Sequence, residues 1–254
     1  MTSTPKSPVK SLETTILLAE TLDDLGGAGV TEIADEAGIA KSTVHDHLKT
    51  LEAHEFVIKE DDQYRLALRF LDYGGRVRLQ KEVFQTAKPE LKKLAENTGE
   101  VANLVVEEHE LGIYIDVVRG KNAVNLDTYV GKREYLHSTA VGKAILAHLP
   151  PEETDSIISK RGLPQETNNT TTSIEALQEE LETIRERGYA TDKEERLSGL
   201  RCVAAPIVPE EGRVYGGVSV SGPASRMEDE RLTGELADEV KRITNIIEVN
   251  VLYP

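Results

Sequence analysis

The stretch Val30–Val57, VTEIADEAGIAKSTVHDHLKTLEAHEFV, leaves the chain the least freedom. Ile33, Ala34 and Ala37 are spaced three and four apart, as one face of a short helix requires. Gly38 ends that helix, since glycine takes the left-handed conformation cheaply. A second helix starts at about Lys41, with Val44, Leu48 and Leu51 as its apolar stripe. Two short helices joined through a glycine turn form the unit that lays its second helix in a DNA groove. Phe56–Lys59 and Tyr64–Leu66 are β-prone around the turn Glu60-Asp61-Asp62, so a short hairpin follows, the layout of a winged helix. A helical hairpin used for protein contacts is the plainer reading of the same pattern.

With Val44 set inward, the opposite face of the second helix carries Ser42, Thr43, Asp46, Lys49 and Thr50, with His45 and His47 flanking it. Lys41, Ser42 and Thr43 open the helix, where phosphate or base-edge contacts are made. Together with His45, Asp46, Lys49, Thr50 and the hairpin residue Arg65, they are the candidate DNA-binding residues. Asp46 either accepts from a cytosine amino group or is simply solvated. His45 and His47 are two apart and share no helix face, so no metal site is expected there.

Charge runs against this reading. The chain of 254 residues carries a net −15, and a DNA-binding surface should be basic. Residues 1–66 hold six Lys and Arg against thirteen Asp and Glu, a net −7. One account is a cytoplasm of very high salt, a halophilic host, where screening acts within about 3 Å and an acidic surface maintains solubility. Other exclusions are firmer. No apolar run approaches the roughly 20 residues of a membrane span. The start MTSTPKSPVK has no apolar signal segment, and the single cysteine, Cys202, allows no intrachain disulfide. A soluble cytoplasmic protein of two domains, away from membranes, is the expectation.

In chain order, residues 1–10 read as a disordered arm. A helix of about Leu12–Leu25 turns Ile16, Leu17, Leu22 and Leu25 inward. After the winged helix, Leu66–Gln80 is helical with a break at Gly74-Gly75, and about Lys81–Asn97 is a second helix with a kink or restart at Pro89. Strands are expected at Val101–Val106, Ile113–Val118, Asn122–Asp127, Val203–Val208 and Val214–Ser221. Helices are expected at Thr139–His148, from Glu152, at Ser173–Arg187 and at about Met227–Val251. The fold class is α+β. Residues 1–66 form the DNA-binding domain, 67–80 a linker and dimerisation helix, and 81–254 a sensor domain with helices flanking an antiparallel sheet.

Three stretches of the sensor domain carry chemistry. Gly142-Lys143 in LHSTAVGKAILAHLP invites a phosphate-loop reading. It fails, because His137 stands where the first glycine should be and Ala144 replaces the magnesium-binding hydroxyl. What remains is a helix start near Thr139, either an anion site or an ordinary capped end. In GYATDKEERLSGLRCVAAPI, Asp192 and Cys202 flank a glycine-containing loop. In YGGVSVSGPASRM, Ser219 and Ser221 are two apart on a strand and share a face, lining a cavity or bonding backbone and water. Cys202 is a packed residue or pocket wall. The rival is a nucleophile with His137 as base.

These segments, in this order, resemble the IclR family of transcriptional regulators along nearly the whole chain. The matching residues are Lys41-Ser42-Thr43-Val44, His137 with Gly142-Lys143-Ala144, Gly188-Tyr189 with Asp192 and Glu194-Glu195, Gly199 with Cys202, and Ser219 with Ser221-Gly222-Pro223. The resemblance implies a winged helix, a linker helix and a GAF-like effector domain. It implies homodimers, often paired into tetramers, that bind double-stranded operator DNA and control metabolic operons. It also implies a small carboxylate, aromatic acid or sugar-derived acid as effector, with no catalytic residues, metal or cofactor. The family's effector pocket maps to Ala140, Val141, Asp192, Cys202, Ser219 and Ser221. Many relatives carry Arg where this chain has Asp46, so that backbone contact does not transfer. A GAF-type sensor acting through protein partners is the alternative.

Overall fold

The computed structural model describes residues 9–210 and 213–253. The arm expected at residues 1–10 lies outside these except for Val9 and Lys10, and Lys10 already begins a helix. The chain divides into two compact units, Met1–Val77 and Arg78–Pro254.

The first unit packs α1 (Lys10–Leu25), α2 (Val30–Ala37) and α3 (Lys41–Ala53) around one small core. Leu18 and Leu22 of α1 enter it, with Ile33, Val44, Leu48, Val57 and Tyr64. Ile16 and Leu17 are exposed, against the expectation. With Leu22 inward, the residue one turn earlier on the same face is Leu18. Gly38 closes α2 at φ 66°. The wing is β1 (Val57–Glu60) paired with β2 (Gln63–Leu66), and its two turn residues, Asp61 and Asp62, both have positive φ. A backbone bridge from Ala28 to Tyr64 ties the wing to the helices. Next, α4 (Arg69–Leu79) runs through Gly74-Gly75 without the expected break. Phe56 packs on Phe70 and Tyr73, and Arg76 pairs with Asp72 one turn back. These contacts offset the roughly 1 kcal/mol that each glycine costs a helix.

The second unit is a six-stranded antiparallel sheet between two layers of helices. Its strands are β3 (Val101–Glu108), β4 (Leu111–Arg119), β5 (Arg133–Glu134), β6 (Ala190–Lys193), β7 (Leu200–Ile207) and β8 (Gly216–Pro223). Their order is β5-β4-β3-β8-β7-β6. On one face, Val203, Ala205, Val218 and Val220 pack against α5 (Glu82–Thr98), α9 (Asp229–Thr233) and α10 (Glu235–Leu252). On the other, Val105, Tyr114, Cys202 and Ala204 pack against α6 (Ala140–His148), α7 (Pro151–Arg161) and α8 (Ile174–Arg187). Pro89 sits inside α5 without ending it, because Phe84, Ala87, Leu91 and Leu94 hold both halves in the core.

Three expectations are corrected here. Asn122–Asp127 is not a strand: Asn122 N–H bonds the Gly99 carbonyl and Ala123 N–H bonds Gly120, which turns the chain away from the sheet. β6 was not expected, since its buried positions Ala190, Thr191 and Asp192 are too polar to read as a strand. The last helix is two, α9 and α10, divided at Gly234.

Candidate functional site

On α3, Val44 and Leu48 are buried and Lys41, Ser42, Asp46, Lys49 and Thr50 are exposed, with Thr43 and His45 half-buried. These residues form one outward face. Thr50 Oγ1 donates to the Asp46 carbonyl, 2.9 Å away. His47 leaves this face, its Nδ1 lying 2.9 Å from Thr15 Oγ1 on α1. The wing cations are already paired: Arg65 with Glu60 at 2.7 Å and Lys59 with Asp62 at 2.7 Å. Among the described residues, Lys41 and Lys49 make no ion pair. Asp46 faces outward, its Oδ1 3.5 Å from His45 Nδ1.

A second set converges in the sheet unit. Register places Asp192 opposite Cys202 and Cys202 opposite Ser221, a row across three strands. The next row on that face runs from Ala204 through Ser219 to Asn103. Cross-strand partners share a face, and here it is the face that α6 covers. Ala140, Val141, Asp192, Cys202, Ser219 and Ser221 therefore line one narrow cavity at the start of α6. Tyr114, Thr128, Thr139, Arg196 and Leu200 complete its wall.

Local sequence builds each part. Thr139 caps α6, its Oγ1 accepting from Gly142 N–H at 3.0 Å, so the N–H groups of Ala140 and Val141 stay free of the helix. Gly142 is required: a Cβ there would lie 2.2 Å from the Leu136 carbonyl oxygen. Lys143 is fully buried, and its Nζ meets Glu195 at 2.6 and 2.7 Å and Glu180 at 2.6 Å. The Gly-Lys pair thus packs α6 and anchors the turn after β6. That turn is further held from the polar loop 164–172, where Thr170 Oγ1 donates to the Glu195 carbonyl at 2.6 Å and Thr167 Oγ1 to that of Glu194 at 2.7 Å. Glu194 carries the cost of the sharp turn, a non-glycine residue at φ 68°.

Asp192 is 1% exposed. Its Oδ1 accepts from Glu195 N–H at 2.7 Å, while Oδ2 has no partner. Burial, then the charge of Glu195, pushes its carboxyl up to about 7. Burial and the nearby Asp192 push the Cys202 thiol up, and burial does the same to the Tyr114 phenol. Asn103, also buried, donates through Nδ2 to both Ser219 and Ser221 at 3.1 Å. Both serine oxygens accept from Asn103, and Ser221 also hydrogen-bonds the Cys202 sulfur, which offsets part of the rise that burial causes. Arg196 lines the wall but is held by Asp127 at 2.7 and 2.8 Å and Glu134 at 2.9 Å.

Sequence reasoning missed Asn103, Tyr114 and Arg196. Asn103 left a signal, as the one amide inside an apolar run. Tyr114 left none: a bulge between Leu104 and Val105 shifts the β3–β4 register and brings Tyr114 opposite Val105, on the cavity face. His137 is not among the residues that line the cavity with Cys202. Its Nε2 lies 3.0 Å from the Pro164 carbonyl, and burial lowers its pKa.

Comparison with known proteins accounts for both units. Residues 17–61 match the model of the IclR helix-turn-helix domain, and residues 77–249 that of the bacterial transcriptional regulator IclR C-terminal. The chain is 35% identical to the HTH-type transcriptional regulator XynR of Escherichia coli over 205 residues, covering 80% of this chain and 81% of that one. It is 30% identical to the "Probable HTH-type transcriptional regulator ArcR" of Halobacterium salinarum over 247 residues, 96% and 94% of the two chains. The crystal structure of the Thermotoga maritima IclR gives a TM-score of 0.79 at 32% identity, covering 96% of this chain and 99% of that one. With an exposed recognition face on one unit and a polar cavity in the other, the chain belongs to the IclR family of transcriptional regulators.

Proposed function

We propose that this regulator binds double-stranded operator DNA as a homodimer, able to pair into a tetramer, and that a small organic or sugar-derived acid bound in the sheet unit controls that binding. Lys41, Ser42, Thr43, His45, Asp46, Lys49, Thr50 and Arg65 meet the DNA. Ala140, Val141, Asp192, Cys202, Ser219 and Ser221 meet the effector. The domain division follows: 1–66 for DNA, 67–80 as dimerisation linker and 81–254 for the effector. The observation that carries this reading is a buried cavity rich in hydrogen-bond donors, placed at a helix start, in the same chain as a helix-turn-helix with an open outer face. The protein is not an enzyme. A thiol held up by burial is a poor nucleophile, and the His137 ring is engaged elsewhere. Among the described residues no helix is long and apolar enough to cross a membrane, in keeping with a cytoplasmic regulator.

The acidic DNA-binding unit fits a high-salt cytoplasm, where repulsion by phosphate is screened. Effector controls DNA binding by favouring one arrangement of the recognition helices, which requires unequal affinity for the two states. The test is Asp192→Ala in the full chain. Operator affinity should be unchanged, and release or tightening by a panel of small, aromatic and sugar acids should be lost. Equal loss of both would refute this division of labour.

A further inference from the structure

The cavity at the start of α6 is shut. Its volume is about 10 Å³, at the threshold of ~10–15 Å³ that a single water needs. Nothing larger enters unless a wall moves, and the walls differ in how they are held. Asp192, Cys202, Ser219 and Ser221 stand on strands joined in one ladder from β6 to β8. Ala140 and Val141 begin α6, which Lys143 pins through Glu195 and Glu180 and which Gly142 sets hard against Leu136. Thr128 is placed differently. It sits on the strap 120–132 between β4 and β5, outside any helix or strand.

The strap is fastened at its ends and loose between them. At one end Asn122 N–H donates to the Gly99 carbonyl at 2.8 Å, and the Asn122 carbonyl accepts from Arg226 at 2.7 Å. At the other, Gly131 N–H donates to the Tyr114 carbonyl at 2.8 Å, and the Lys132 carbonyl accepts from Tyr114 N–H at 3.0 Å. Among the described residues, Val124, Asn125 and Leu126 make no hydrogen bond. The middle is held by Leu126, packed partly buried on the core under α6, by a bond of 3.3 Å from Arg119 to the Thr128 carbonyl, and by Asp127. Asp127 engages Arg196 with both oxygens, at 2.7 and 2.8 Å, and Lys132 with one. The Arg196 side chain is 6% exposed, and Glu134 of β5 accepts from its Nε at 2.9 Å. Glu134 also holds Lys132 at 3.0 Å. Lifting Asp127, itself more than half exposed, therefore strands no buried cation, because both keep Glu134. Any other wall would have to break a strand ladder or a buried ion cluster.

We propose that residues 124–128 are a gate over this cavity and that the pair Asp127–Arg196 is its latch. Opening lifts Thr128 out of the wall and admits a solute to Asp192, Cys202 and the two serines. The gate rests on the effector reading only for what passes through it. Its movement needs no effector, so the two ideas fail separately.

Cys202 is the chain's one cysteine and lines the cavity, so its thiol reports the opening. The experiment labels the full-length protein with iodoacetamide, small and uncharged, and reads the product by mass spectrometry. It is run across urea concentrations below the unfolding transition, at fixed pH and KCl. Wild type should label far more slowly than the unfolded chain, at a rate nearly independent of urea, as a local opening requires. Asp127→Asn should speed labelling about tenfold, as loss of a bidentate charge-assisted contact implies. Leu126→Ala changes no charge and should speed it as well. Lys193→Ala breaks only the surface pair with Asp229 and should leave the rate within about twofold. A wild-type rate that climbs with urea in step with global unfolding overturns the gate, and so does a rate equal to that of the unfolded chain. These two outcomes need no variant, so a misfolded one does not spoil the test. Strap variants that label like wild type overturn it too, and acceleration by Thr139→Val alone would make the start of α6 the moving wall.

Discussion

The recognition face of α3 and the cavity under α6 manage charge in opposite ways. On the first unit the charged groups sit in water, and wing cations are matched by acids on the same hairpin. Such pairs are worth little, ~0–1 kcal/mol each, and yield readily to salt or to DNA. In the sheet unit Lys143, Glu195 and Asp192 are buried within one cluster, where each group's state depends on the others. A surface of the first kind can be altered residue by residue. A site of the second kind responds as a unit, which suits it to sensing.

The sharpest test of that contrast is Lys143→Met. It leaves Glu195 and Glu180 without their cation and should cost about 3–5 kcal/mol in the sheet unit, read by denaturant unfolding. A cost below about 1 kcal/mol would mean that the cluster is hydrated and the contrast false. Leu48→Ala puts the other unit to a packing test. This fully buried side chain should cost roughly 2–5 kcal/mol and remove DNA binding, with the unfolding of the sheet unit unchanged.

A smaller effect comes from pH. Asp192 is raised from 3.8 to about 7 on folding, so its favourable contribution is complete below the unfolded value and is lost as pH rises through the folded one. Asp192→Asn should therefore gain stability relative to wild type as pH rises from about 4 to 7, by at most about 4 kcal/mol. A difference constant with pH would count against the burial argument. Smallest is Lys49→Ala. It should leave stability within about ±0.5 kcal/mol and lower the salt slope of DNA binding by about one per protomer.

The same contrast explains what could be read from the chain. The helix-turn-helix is local: Ile33, Val44 and Leu48 are core residues within sixteen positions of one another, and their spacing alone shows the face. The error at Ile16 and Leu17 was one of rotation, which only packing against α2 and the wing resolves. The cavity is non-local. Asn103 reaches Ser221 across 118 positions, and Lys143 reaches Glu195 across 52. Family resemblance placed six residues in it, but the partners that set their chemistry depend on register. Gly142-Lys143 fails as a phosphate loop, and nothing in the local sequence shows the internal ion cluster that Lys143 forms. Asp192 was visible as a residue, whereas its strand and its unpartnered oxygen were not.

On this reading an acidic helix-turn-helix reads DNA with little help from phosphate attraction. That is tested most directly by titrating binding of the full-length protein to the DNA upstream of its own gene, from dilute to molar KCl. With Lys41, Lys49 and Arg65 as the DNA-facing cations of each protomer, sequence-selective binding should persist at high salt, with a log–log slope no steeper than about −5 for a dimer. No selective binding at any salt, from a protein shown to be folded, would contradict it and favour a sensor that acts through protein partners.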